Sequence, residues 1–171
     1  MNSLIKKFFI VLLFFNSLNG YQLEDKLQVI ITGKIAKFIS WDSNNSETLD
    51  ITVFNNKFGT YFDELYKDKK IKGKNVVINY IDRIEQIKNT HILYICNVDF
   101  NTLNNIFSYT KDKKVVTISD IRGFAQKGGM VQIYQKNQKL KLKINLDIVN
   151  QKNIQIKSSL LRIVDIVGDN K

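Results

Sequence analysis

The sequence predicts an α/β domain, a single unit with a mostly parallel sheet flanked by helices and an antiparallel hairpin added near the C-terminus. Three observations carry this. Between residues 49 and 119, β-branched extended runs alternate with helical patterns, the order expected of a parallel sheet. The runs 76–81 and 92–96 are apolar without alternation, as strands buried on both faces are. From Met130 onward two extended runs follow one another with only Lys136-Asn137-Gln138 between them, which predicts the hairpin.

The elements follow in order. Leu23, Leu27, Ile30, Ile31, Ile35, Phe38 and Ile39 recur at helical spacing, with Lys26, Lys34 and Lys37 between them, and predict an amphipathic helix that stops near Trp41-Asp42. Asn44, Asn45 and Ser46 form a polar loop before a strand over Leu49–Phe54. Phe58, Phe62, Leu65 and Tyr66 mark a second helix, which ends in a lysine-rich run. Strands are expected at Val76–Ile81, Ile92–Cys96 and Val115–Ser119, with a short helical turn at Ile84–Ile87. A third helix carries Leu103, Ile106 and Phe107, and Asp99 is placed to cap it. The hairpin strands run Met130–Gln135 and Lys139–Leu146. In the second, Leu140, Leu142 and Ile144 alternate with Lys139, Lys141 and Lys143, giving one apolar and one basic face. Asp147–Lys152 read as a short helix or turn and Ile154–Lys157 as a short strand. Ser158 caps a last helix carrying Leu160, Ile163, Val164 and Val167.

The N-terminus is organised differently. Lys6 and Lys7 precede an unbroken apolar block, Phe8–Phe15, and residues 16–20 turn polar and small. That is the layout of a secretory signal peptide, and the block is too short to span a bilayer. The expected cut follows Gly20, with Leu18 larger than the residue usual at that position. Residues 21–171 then form the mature domain, with no second long apolar stretch, so it does not itself span a membrane once cleaved. Loss of two lysines and no acid takes the net charge from +10 to +8. Such a balance points to nucleic acid, an anionic membrane or an acidic protein. Export removes nucleic acid from that set. Lysine, asparagine and isoleucine are frequent throughout, so part of the charge reflects composition rather than a partner.

The chemistry-bearing residues are few. The chain has one cysteine, Cys96, so no disulfide forms within it, and its apolar run marks it as a small buried hydrophobe. His91 is the one histidine. It lies five residues from Cys96, out of range for a shared zinc ion, and at the entering end of a strand. No metal, cofactor or catalytic set is expected. One segment stands out: Ser119-Asp-Ile-Arg-Gly-Phe-Ala-Gln-Lys-Gly-Gly-Met130, at the carboxyl end of the fourth long strand, where open parallel sheets bind ligands. Its glycines permit conformations closed to other residues, and free N–H groups there suit an anion or a carbonyl. The simpler alternative is that they turn the chain into the hairpin.

Ser119-Asp120, Gly123-Phe124-Ala125 and Gly128-Gly129-Met130 together resemble the signature of the YfiR-like periplasmic regulators. Phe38-Ile-Ser-Trp41 resembles that family's early Phe-x-x-Trp element, with Asp42 where a proline is usual. Lys72-Gly-Lys74, Ile144-Asn-Leu146 and Ser159-Leu-Leu-Arg162 resemble further elements in order, so the likeness spans about residues 25–167. It implies a small periplasmic α/β domain, often a homodimer. It also implies a regulator that holds an inner-membrane diguanylate cyclase inactive and is titrated away by an outer-membrane partner. The same domain also occurs fused to sensor kinases. On this basis the expected partner- or ligand-binding residues are Ser119, Asp120, Arg122, Gly123, Phe124, Gly128, Gly129 and Met130, with Lys139, Lys141 and Lys143 as a basic face for an acidic partner. The alternative is a small-ligand-sensing module acting on another membrane receptor or kinase.

Overall fold

In the computed structural model, residues 23–41 and 46–168 are described; the expected signal peptide and Asp42 lie outside the described residues. Helix α1 covers residues 23–38 and leads directly into a two-residue strand, β1 (Ile39–Ser40). Then come β2 (Thr48–Phe54), α2 (Tyr61–Tyr66), β3 (Lys70–Ile71) and β4 (Lys74–Ile81). A 3-10 turn at Ile84–Gln86 leads to β5 (Ile92–Ile95), α3 (Phe100–Thr110) and β6 (Val116–Ser119). The chain closes with β7 (Val131–Lys136), β8 (Lys139–Asn145), α4 (Leu146–Gln151), β9 (Gln155–Ile156), α5 (Ser158–Leu161) and β10 (Asp165–Val167).

Eight strands form one sheet in the order β10-β8-β7-β6-β5-β2-β4-β3. β4, β2, β5, β6 and β7 run parallel, and β8 turns back antiparallel to β7, as the added hairpin predicts. Asn137 and Gln138 both take positive φ, +51° and +58°, which is the two-residue turn whose twist suits a hairpin. β4 and β5 lie on opposite sides of β2, so the chain changes direction there. The loops leaving β2 and β5 diverge and open a crevice at their carboxyl ends.

Alternation along the central strands divides the core between the two faces. Ile92, Tyr94 and Cys96 join the cluster under α1 and α2, while Leu93 and Ile95 join Leu103, Ile106 and Phe124 on the other face. β5 is buried throughout, as its unbroken apolar run predicts. β4 is not: none of its residues is fully buried, and Val77 and Tyr80 stay more than a third exposed. Its outer neighbour β3 has only two residues, so β4 is nearly an edge strand, and its apolar run overstates its burial.

The C-terminus departs from the expected helix. α5 stops at Leu161, and Asp165–Val167 become β10, parallel to Lys143–Asn145 of β8. The open edge of β8 supplies a ladder that β-branched Ile166 and Val167 fit, and Ile163 is left 73% exposed between the two elements. Ser158 does not cap α5; Lys157 holds that position without a side-chain hydrogen bond. Asp99 does cap α3, its Oδ1 accepting the N–H groups of Asn101 and Thr102 at 2.8 and 3.0 Å. The short strand near Ile154 is β9, and it pairs with β1, tying the end of α1 to the C-terminal segment.

α1 is rotated from its apolar spacing. Leu23 and Leu27 are exposed, while Gln28, Val29, Thr32, Gly33, Ile35 and Ala36 face the core. Close approach to α2 explains part of this. The Tyr66 hydroxyl donates to the Val29 carbonyl at 2.7 Å, and its ring lies where a Gly33 side chain would be: a Cβ there would meet the hydroxyl oxygen at 2.1 Å. Alanine normally stabilises a helix interior by about 1 kcal/mol relative to glycine. Here Gly33→Ala is expected to do the opposite, with a net loss of about 1–2 kcal/mol from overpacking against the buried Tyr66 ring. Urea unfolding of the two proteins measures the sign.

Candidate functional site

The crevice at the carboxyl edge is closed by a chain of polar side chains from four segments. Tyr94 at the end of β5 is fully buried, and its hydroxyl donates to Gln28 Oε1 of α1 at 2.7 Å. The Gln28 amide donates in turn to Asp120 Oδ2, just beyond β6, at 3.3 Å. Lys57, in the loop after β2, reaches the same oxygen at 2.5 Å and lies 3.7 Å from Asp25 of α1. Burial alone would lower the Lys57 ammonium's pKa, but hydrogen bonding and attraction to Asp120 outweigh it and hold the pKa above the ordinary value. Burial, reinforced by Asp120, pushes the Tyr94 phenol well up, so it stays a donor.

Beside this chain lies a hollow of about 510 Å³, lined by Glu24, Gln28, Asp120, Arg122, Gly123 and Gln126, and across from them by Gln132, Tyr134 and Lys143 of the hairpin. Of the residues singled out in the sequence, the structure therefore brings four to one hollow: Asp120, Arg122, Gly123 and Lys143. Lys139 and Lys141 are exposed further along β8 and do not line it. Lys143 is half-buried, its ammonium 5.1 Å from the Tyr134 ring centre.

Ser119, Phe124, Gly129 and Met130 are placed in the core, and Gly128 is half-buried beside them. The Ser119 hydroxyl donates to the Ile95 carbonyl at 2.7 Å and accepts the Ile121 N–H at 3.0 Å, joining β5 to the loop after β6. Phe124 is fully buried, its ring 5.5 Å from that of Phe107. Gly129 gives Phe124 its space: a Cβ at 129 would sit 2.1 Å from the ring. Gly128 takes φ +109°, closed to ordinary side chains. The buried Met130 N–H donates to Thr117 Oγ1 at 3.0 Å, and its carbonyl accepts from the Asn145 N–H at 2.9 Å. Most of the Gly-Phe-Ala-x-x-Gly-Gly-Met string thus folds the turn into the hairpin, while Asp120, Arg122 and Gly123 present polar groups to the crevice.

Asn145 locks this arrangement from the far side. Its side-chain amide donates to the Ala125 carbonyl at 2.8 Å, and its Oδ1 accepts the Ile148 N–H at 3.1 Å, capping α4. Gln28, Lys57 and Tyr94 are the site residues that sequence reasoning missed. Gln28 left a trace, a polar residue on the inner face of an apolar helix; Lys57, one of many lysines, left none.

A second hollow, of about 780 Å³, lies at the opposite, amino edge, where His91 enters β5. His91 is buried, as a satisfied histidine would be, but only one of its nitrogens is satisfied. Nδ1 accepts the Asp50 N–H at 3.1 Å, and Nε2 has no hydrogen-bond partner among the described residues. Burial lowers its pKa below the usual 6.5; the Asp50 carboxylate opposes this and the Lys74 ammonium adds to it. Cys96 is fully buried, and burial raises its thiol pKa to about 12, which keeps it an inert thiol.

The class of molecule is now defined: a small open-sheet α/β domain with a polar crevice at the carboxyl ends of its parallel strands, and no cluster of metal-ligating residues among those described. No helix among the described residues is long and apolar enough to cross a membrane. Residues 25–164 match the model of the YfiR/HmsC-like family, and the chain belongs to that family, one of periplasmic regulatory proteins. No curated protein matches it. Among solved structures, it resembles the ABC domain in complex with L-Trp from Streptococcus pneumonia, at 11% identity and a TM-score of 0.54. It also resembles a conserved domain protein from Vibrio cholerae O1 biovar El Tor, at 12% identity and a TM-score of 0.55. Each match covers 84% of this chain and 60% of the other, so the chain spans less than two thirds of their length and the likeness is one of fold.

Two outcomes follow from this geometry. Asn145→Ala is expected to cost about 2 kcal/mol, because it leaves the buried Ala125 carbonyl unpaired and uncaps α4; chemical denaturation checks it. Because the His91 pKa is lower folded than unfolded, the unfolded chain takes the proton first. The contribution of His91 to stability is therefore fully present above pH 6.5 and is lost as pH drops through that value towards the folded pKa. Thermal melts between pH 7.5 and 5 should show that decline, and His91→Asn, which keeps an acceptor for Asp50 N–H, should flatten it.

Proposed function

We propose that the processed chain is a periplasmic regulator that represses an inner-membrane signalling enzyme, a diguanylate cyclase, by binding its periplasmic portion. The observation that carries this reading is membership of the YfiR/HmsC-like family over nearly the whole domain. The N-terminal Lys6-Lys7 and Phe8–Phe15 pattern supports export to the compartment where such a contact is made. The basic face of β8 supports an acidic partner: Lys139, Lys141 and Lys143 alternate with apolar residues along a strand whose outer edge β10 covers only at Lys143–Asn145. The crevice around Asp120 and Arg122 supports a second element, a small polar ligand that tunes this contact, which is also how the domain would serve a sensor kinase.

Deletion of the gene is expected to raise cellular cyclic-di-GMP and surface attachment, and restoring the full chain should lower both. Unchanged cyclic-di-GMP would overturn the reading. For the contact itself, replacing Lys139, Lys141 and Lys143 together by Glu should weaken binding to the cyclase's periplasmic domain and flatten its dependence on salt. Equal affinity of the two proteins at low salt would remove the basic face from the interface.

A further inference from the structure

We propose that the hollow at the amino edge of the sheet binds a small organic anion, whose oxygen accepts the indole N–H of Trp41 and the Nε2–H of His91. The two rings meet edge to face, with centroids 5.7 Å apart, and both line the hollow. Trp41 Nε1 and His91 Nε2 are the buried side-chain nitrogens with no hydrogen-bond partner among the described residues. Buried polar groups are almost always paired, so two unpaired ones on rings that touch point to a group that pairs with both.

The chemistry of that group follows from the donors. An indole nitrogen only donates. The Nδ1 atom of His91 accepts the Asp50 N–H, so the proton of the neutral ring is on Nε2, which also donates. The bound group must therefore accept two hydrogen bonds, as a carboxylate or phosphate oxygen does and an ammonium cannot. Lys88, Lys113 and Lys114 line the same hollow and give it a positive rim. Among the described residues that line it, the one carboxylate is Asp50, which accepts the Thr48 hydroxyl at 2.9 Å and lies 3.3 Å from His91 Nδ1, on the ring edge away from Nε2. A volume of about 780 Å³ suits a small molecule, and Tyr109 and Val115 supply apolar wall for its body. Both nitrogens are buried, so an anion bonded to them is shielded from bulk water.

The chain has a single tryptophan, so one indole N–H resonance reports the site directly. Protein purified from the periplasmic fraction is titrated with benzoate, with inorganic phosphate and with neutral benzamide while that resonance is followed. Benzoate or phosphate should move it downfield to saturation, and whichever binds tighter identifies the carboxylate or the phosphate as the headgroup. His91→Phe should weaken binding about tenfold, and the exposed substitution Lys88→Gln about two- to threefold. No movement with either anion would overturn the proposal, as would an equal response to benzamide, or affinity unchanged in Lys88→Gln should His91→Phe fail to fold. Repression of a cyclase is not an element of this test, so the two readings fail separately.

Discussion

Four segments far apart in sequence meet at Asp120. Its carboxylate takes the Gln28 amide from α1 and the Lys57 ammonium from the loop after β2, and Gln28 passes the chain on to Tyr94 at the end of β5. A partly buried charge is costly unless its partners are present, and a network that is complete stiffens what it joins. Here it joins the two sides of the point where the sheet changes direction, which is also where an open parallel sheet leaves its crevice. The same contacts account for the rotation of α1. A helix seated only by its leucines would bury Leu23 and Leu27; this one exposes them and turns Gln28 and Thr32 inward, because Gln28 must reach Tyr94 and Asp120.

The loop after β6 shows how one string of residues serves two ends. Phe124, Gly129 and Met130 are held by packing and backbone hydrogen bonds, with Asn145 closing the turn from β8. The same contacts hold the turn from which Asp120, Arg122 and Gly123 are presented at the crevice. The glycines expected to offer N–H groups to an anion or a carbonyl serve the turn itself: Gly129 lets the Phe124 ring lie against the backbone, and Gly123 and Gly128 take positive φ. A family signature is dense at such a place because packing and presentation constrain the same dozen residues.

What was legible in the sequence is what depends on local pattern. Alternating runs place β2, β5, β6 and the hairpin within a residue or two, and the Asp99 cap follows from side-chain chemistry alone. What was not legible depends on neighbours distant in sequence. Val76–Ile81 is as apolar as Ile92–Ile95, yet β4 has only a two-residue strand outside it and stays half open. Ile163 to Val167 carries a helical spacing, but the free edge of β8 at Lys143–Asn145 pairs with it as a strand. The site divides in the same way. Asp120 and Arg122 belong to a recognisable string, whereas Lys57 and Tyr94 are recruited by topology and have no signature of their own.

The two edges of the sheet differ in how their polar groups are satisfied, and that difference bears on function. At the carboxyl edge, the buried groups around Asp120 pair with one another, so a ligand or partner there must compete with bonds already made and would act by rearranging them. At the amino edge, Trp41 and His91 hold donors that nothing among the described residues accepts, so a bound acceptor adds bonds without breaking any. Binding at the carboxyl edge is suited to altering the loop that faces a partner. Binding at the amino edge is suited to stabilising the fold as it stands: β1 follows α1 immediately before Trp41 and pairs with β9, so the Trp41 side chain sits where the first helix and the C-terminal segment are tied together. An anion seated on Trp41 would tighten that tie, and α1, which carries Gln28 to Asp120, is the rigid element through which it would be felt at the opposite edge.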